Sequence, residues 1–340
     1  MLANRLASAL LAATALSLGA PGSGAWAADM MPLKVKAPPP PASVPLDIHY
    51  FADVTFLNDY ITPRGLLVTN TGLTTQILTG IALDLYKDKA GFINDISVNG
   101  GAWSDLWSEQ HDVHVDSWNE FDWWVGMTVT FAQNWTAGVQ YIEFIPPAAD
   151  LATSFPAIEH NMEFSLSYDD TSWGWPIPIH PYVKLFYELR GPSTVVLGKS
   201  GDTYDVEIGI VPTYDAKKAT GMPLVLTAAT WVTVGPSSYW NKNDGTTNAC
   251  GTLSASPCAL SNTGVFTTGL QGKLALDVVP KRLGNWYVKG GARYYHIFND
   301  ALLAAQEFTG SAGGASGVTG TFPNAHRDVG VVYAGIGLGF

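Results

Sequence analysis

From Ile48 to its last residue the chain keeps one habit: short segments in which every second residue is apolar. The closing run, "RDVGVVYAGIGLGF" at 327–340, shows it plainly. Val332, Ala334, Ile336, Leu338 and Phe340 fall on one parity; Tyr333, Gly335, Gly337 and Gly339 fall on the other. A period of two is the side-chain repeat of a strand with two unlike faces. About twelve such segments succeed one another, each near the ~10 residues that a tilted membrane strand needs. The fold must therefore be all-β, and two architectures compete: a soluble sandwich, or a closed barrel in a membrane.

The N-terminus bears on that choice. Arg5, an apolar run from Leu6 to Leu18, the helix-breaking Pro21 and Gly22, and the small-x-small site Ala25-Trp26-Ala27 read as a secretory signal over residues 1–27. The apolar run falls short of a bilayer-spanning helix. Residues 28–46 form a leader whose four consecutive prolines, Pro38 to Pro41, cannot join a ladder and favour an extended polyproline conformation. The remaining domain is 47–340. The formal charge is −11, and the exported part is more acidic still because the signal holds only Arg5. Nucleic acid is excluded as a partner, since phosphate binding needs clustered basic side chains. Only 14% of residues are charged, with 12% aromatic and 35 glycines, a composition suited to a surface that meets lipid.

Connections decide between the architectures. "YKDKAG", "AQN", "DDTSWGWPIP", "YDAKKATG" and "PKRLG" follow even-numbered segments and are short. "SDLWSEQHDVHVDS", "NKNDGTTNACGTLSASPCALSN" and "NDALLAAQEFTGSAGGASGVTGTFPNAH" follow odd-numbered ones and are long. This rhythm belongs to an up-and-down barrel with short periplasmic turns and long extracellular loops, and a sandwich has no reason to keep it. The apolar parity then faces lipid and the charged parity lines the lumen. Lumen acids on this assignment are Asp53, Asp84, Asp95, Glu120, Asp122, Glu163, Glu188, Asp205, Glu207 and Asp277; the bases are Lys184, Lys273, Lys289 and Arg293. Trp103, Trp118, Trp135, Tyr141, Trp240 and Trp286 are expected in interfacial girdles.

With its signal peptide, its closing strand "VVYAGIGLGF" and the alternate apolar residues up to Phe340, the chain resembles outer-membrane β-barrel proteins of Gram-negative bacteria. The resemblance implies outer-membrane lipid as surroundings, and an assembly signal in Val332, Ala334, Ile336, Leu338 and Phe340 read by the barrel-assembly machinery. More narrowly, "VTFLNDYITPRGLLVTNTGLTTQ", with Asp59, Tyr60, Arg64 and Gly65, is similar to the opening strand and first loop of the TorF-like putative porins. That family implies no catalytic residues.

Other chemistry is sparse. Cys250 and Cys258 share one loop of an exported chain and are expected to form a disulfide. His111, Asp112, His114 and Asp116 match no standard metal spacing and read as a solvated acidic loop, so no metal or cofactor is expected. No G-x-S-x-G occurs, and "GKSGD" at 198–202 lacks the full phosphate-cradling loop. The function expected is therefore passive diffusion of small hydrophilic solutes, not catalysis, through a lumen of ~12 Å backbone radius whose excess acids favour cations or zwitterions. The alternatives are a barrel sealed by charge pairing, serving as a structural or surface-interaction protein, and, less favoured, a barrel-embedded enzyme.

Overall fold

The structure, a computed structural model, describes residues 47–70, 72–108, 117–145, 158–190, 203–236, 239, 262–299, 302–303 and 326–340. The signal and leader, the cysteines, Trp240 and the His111–Asp116 cluster lie outside them. Twelve antiparallel staves close into a barrel. The first, β1 (Asp47–Leu57), is followed by a small hairpin, β2 (Tyr60–Ile61) and β3 (Leu67–Thr69), that is not part of the wall. Then come β4 (Thr74–Lys87), β5 (Ile93–Trp107), β6 (Trp118–Phe131), β7 (Trp135–Ile145), β8 (Glu159–Tyr168) and β9 (Tyr182–Arg190). The eighth stave joins β10 (Thr203–Ile210) to β11 (Thr213–Asp215), and the ninth joins β12 (Leu224–Thr227) to β13 (Thr230–Val234). The last three are β14 (Thr263–Ala275), β15 (Asn285–Ile297) and β16 (Asp328–Gly339).

Closure is made by β16, which pairs with β15 from Asn285↔Gly339 to His296↔Asp328 and with β1 from Phe51↔Gly339 to Leu57↔Tyr333. The wall thus has no open edge, which removes the unpaired backbone groups that invite aggregation. Among the described residues two staves are interrupted at Pro212, which has no N–H to give to the ladder. There Ala228 N donates to Pro212 O (2.9 Å), and the eighth and ninth staves each split in two. No helix among the described residues is long and apolar enough to cross a membrane.

The polarity is inverted relative to a protein folded around an oily core. Outward residues are apolar and open: Leu270 is 57% exposed and Val332 58%, with Ile48, Ile81, Val125 and Ile208 alike. Inward positions hold carboxylates: Glu188 is fully buried, Asp205 2% exposed and Asp53 6%. In water this arrangement would leave an apolar outer surface unburied, whereas in lipid that surface is solvated. Among the described residues, carboxylates near the long-loop end depart from this pattern, Asp328 on the outward parity of β16 being one. Glu143 points outward near the long-loop end and accepts from Trp123 Nε1 (2.8 Å) and Tyr141 OH (2.7 Å), with His160 Nδ1 3.1 Å away.

Aromatic rings gather at the short-turn rim, where Tyr50 meets Phe340, Phe92 meets Phe131, and Trp135 meets Tyr168. Tyr168 in turn meets Trp173, which meets Trp175. The opposite end carries Trp118 on Phe121 and Trp123 on Tyr141. Two bands of this kind bound an apolar belt, as in membrane barrels.

A second apolar layer sits inside. Leu57, Val265, Ile297, Val329 and Val331 face inward at the long-loop ends of their staves and bury with Ile61 and Leu67 of the hairpin and with Tyr239, Leu302 and Leu303 of the later loops. The expectation of a lumen polar along its whole length is therefore corrected: at this end the inward parity turns apolar, because chain from the loops folds down onto it.

Candidate functional site

The site begins where β1 ends. Asn58 ties the end of the stave to β16, its Oδ1 accepting Val332 N (2.7 Å), and the chain then turns into the barrel. The turn of the hairpin closes with Gly65 N donating to Thr62 O (2.9 Å), Thr62 N to Leu66 O (2.8 Å) and Leu66 N to Thr62 Oγ1 (3.2 Å). Gly65 has φ of +94°, and a Cβ there would lie 3.0 Å from Val265 Cβ. A left-handed backbone and a close approach both call for glycine.

From this turn Arg64 reaches the facing wall. Its Nε lies 3.3 Å from Asp205 Oδ1, and its guanidinium sits 3.3 Å from the centroid of the Phe186 ring. Phe186 stacks at 15° on Phe144, and Trp231 Nε1 donates to Pro63 O (3.4 Å). A charged hydrogen bond and a cation–π contact, both shielded from bulk water, hold the hairpin across the lumen. Beside it remains a cavity of about 310 Å³, bordered by Tyr60 to Arg64 of the hairpin and by wall residues including Trp103, Glu120, Asp122, Trp124, Gln140, Glu163 and Arg293.

The sequence-assigned lumen residues divide into groups. Asp53 is fully engaged: Lys289 Nζ lies 2.7 Å from Oδ1, Thr55 Oγ1 donates to Oδ1 (2.6 Å) and Tyr287 OH to Oδ2 (2.8 Å). Glu163 faces Lys184 at 3.6 Å, and Glu207 accepts from Tyr182 OH at 2.7 Å. Lys273 lies over the Tyr287 ring and Arg293 over that of Tyr333. Glu188 is buried towards the long-loop end. Asp95 lies at the short-turn rim, register partner of Lys87, near the cluster of Asp84, His49 and Lys87. Asp277 is a correction. β14 ends at Ala275, so Asp277 stands exposed in the turn that follows and lines nothing.

Trp103 is a second correction. It shares the inward parity of Asp105 on β5, borders the cavity and meets the Tyr60 ring at 5.6 Å, so it belongs to the lumen and not to a girdle. Arg64, Phe186 and Trp124 went unassigned. Trp124 and Phe186 had a local signal: Trp124 shares the parity of Glu120 and Asp122, and Phe186 that of Lys184 and Glu188. The closing strand's assembly positions, Val332, Ala334, Ile336, Leu338 and Phe340, lie on the parity that faces outward. Gly335 and Gly337 lie opposite and leave room on the lumen side, since a Cβ on Gly337 would lie 2.4 Å from the Tyr287 ring and one on Gly335 3.0 Å from Lys289 Cε.

No protein-family model and no curated protein matches this chain. Among solved structures it is similar to OprB of Pseudomonas putida at high pH, with a TM-score of 0.39 and 11% identity over 87% of this chain and 94% of that one. It is similar also to OmpF of Salmonella typhi in complex with daunomycin (0.33, 10%, 87% and 97%). A third is the translocator domain of the autotransporter NalP from Neisseria meningitidis (0.32, 11%, 86% and 88%). Likeness at these values transfers no solute or activity to this chain.

Proposed function

We propose that this chain is an outer-membrane channel of a Gram-negative bacterium, of the kind the TorF-like putative porins represent, passing small hydrophilic solutes down their own gradients. The observation that carries the reading is the inverted wall: an exposed apolar belt outside, and carboxylates beside a cavity inside. The long-loop rim would face the exterior and the short-turn rim the periplasm, the export signal and barrel-assembly machinery delivering the chain. Acids outnumber bases along the lumen, which supports a preference for cations or zwitterions, because fixed charges set permeant-ion preference. Catalysis has no part in this reading.

The second reading, a sealed structural or surface-interaction barrel, is favoured by one observation, the hairpin pinned across the lumen by Arg64. Conductance of the refolded protein in planar bilayers separates the two. Discrete open steps support the channel, and silent but folded protein refutes it. Where steps occur, reversal potentials in a KCl gradient should report cation preference, and anion preference would refute the charge argument.

A further inference from the structure

We propose that the cavity beside the hairpin holds a binding site for a small organic cation, formed by Glu120 and Asp122 with the rings of Tyr60, Trp103 and Trp124; it rests on the channel reading for its access. The acids are forced together by the ladder. Asp105 is the register partner of Glu120, Trp103 that of Asp122, and Glu120 and Asp122 lie two apart on one face. Like charges directly opposite are destabilising unless something compensates them. Two cations border the cavity, but Arg64 is held by Asp205 and Arg293 lies over the Tyr333 ring; Lys184 pairs with Glu163, Lys289 with Asp53, and Lys273 lies over Tyr287. Asp122 is only 9% exposed, borders the cavity, and its Oδ1 meets no hydrogen-bond partner among the described residues.

An unsatisfied buried carboxylate oxygen is costly and marks where a donor or cation belongs. The walls suit an organic cation better than a hydrated metal ion. Tyr60 and Trp103 meet at 5.6 Å with planes 48° apart, so their faces are not consumed by mutual stacking. Trp124 lies across Gly101, where a Cβ would come within 2.4 Å of its ring. Indole and phenol faces attract ammonium groups, more strongly when water is excluded. The cavity, about 310 Å³, has room for an alkylammonium of a few heavy atoms.

Calorimetric titration of the full-length protein, refolded in micelles, with tetramethylammonium chloride tests this, glucose serving as the neutral control. Saturable one-to-one binding is expected, weakened at least tenfold in D122N and in W103L, with no saturation by glucose. Heat-modifiable gel mobility establishes that each variant is folded, and E120Q stands in for D122N if that variant does not fold. The site is overturned by wild-type protein that conducts but binds no tetramethylammonium, by glucose binding as tightly, or by variants that bind as the wild type does. Binding by protein that never conducts would keep the site and overturn the channel instead.

Discussion

Gly337 on the closing strand gives the sharpest test of how the lumen is built. In Gly337→Ala the new methyl would lie 2.4 Å from the Tyr287 ring and 2.9 Å from Ala52 O. The first neighbour can swing away, but the second is backbone in the β1–β16 ladder and cannot. Tyr287 must therefore leave, and with it goes the 2.8 Å bond to the Asp53 carboxylate. A hydrogen bond to a charged group contributes about 1.5–3 kcal/mol. Overpacking adds roughly 1–3 kcal/mol of strain. Replacing a strand glycine by alanine returns about 0.5–1 kcal/mol of backbone entropy. The net loss comes to about 3 kcal/mol. Tyr287→Phe isolates the hydrogen bond and should lose about 2 kcal/mol. Gly330 is the control in the same strand, because nothing lies within 4 Å of its added Cβ; Gly330→Ala should be neutral or stabilising by up to ~1 kcal/mol. Urea unfolding of the refolded protein in micelles, followed by tryptophan fluorescence, measures all three. A loss below ~0.5 kcal/mol for Gly337→Ala, or equal losses at 337 and 330, would refute the account of the glycine parity.

Three further outcomes follow from the same structure. Leu270→Arg, outward and 57% exposed, should cost roughly 2–4 kcal/mol when refolded into liposomes, as a charge in mid-bilayer does, and a neutral result would contradict a lipid-facing belt. Arg64→Ala should release the hairpin, raising single-channel conductance while lowering stability by about 3 kcal/mol, since it strands the buried Asp205 carboxylate; unchanged conductance would mean that the hairpin does not restrict the path. In the turn after β8, Asp170 is buried, which alone would raise its pKa, yet the backbone N–H groups of Ile179 and His180 hold it below the usual 3.8. A depressed folded pKa contributes stability above the unfolded value that is lost as pH falls through the folded one. Wild-type unfolding midpoints should therefore drop below pH 3.8 more steeply than those of Asp170→Asn; parallel profiles would count against these two hydrogen bonds as the cause.

Much of this architecture was legible locally. Strand parity needs only neighbouring residues, because successive side chains must point to opposite faces. The even stave count and the short–long rhythm of connections were enough to order the staves and bring Phe340 beside β1. Where the reading failed, the deciding contacts were remote. Trp103 reads as a girdle residue until Tyr60 of the inward hairpin is placed against it. Asp277 continues the alternation of β14 past the point where the ladder stops at Ala275. Leu57, Val265 and Val331 sit on a parity that should be polar, and become a core only because loop chain folds over them.

By itself the sequence determined the period, the stave number and the outward face, since each depends on alternation, and it supplied most of the charges that the lumen holds. Only the tertiary structure decided which of those charges meet. Arg64 and Asp205 stand 141 residues apart, and the pair exists because barrel closure sets the first loop opposite the seventh and eighth staves. Glu120, Asp122 and Trp124 share one face of β6 by parity alone, but it is the β5–β6 register, which parity does not fix, that sets Trp103 opposite Asp122.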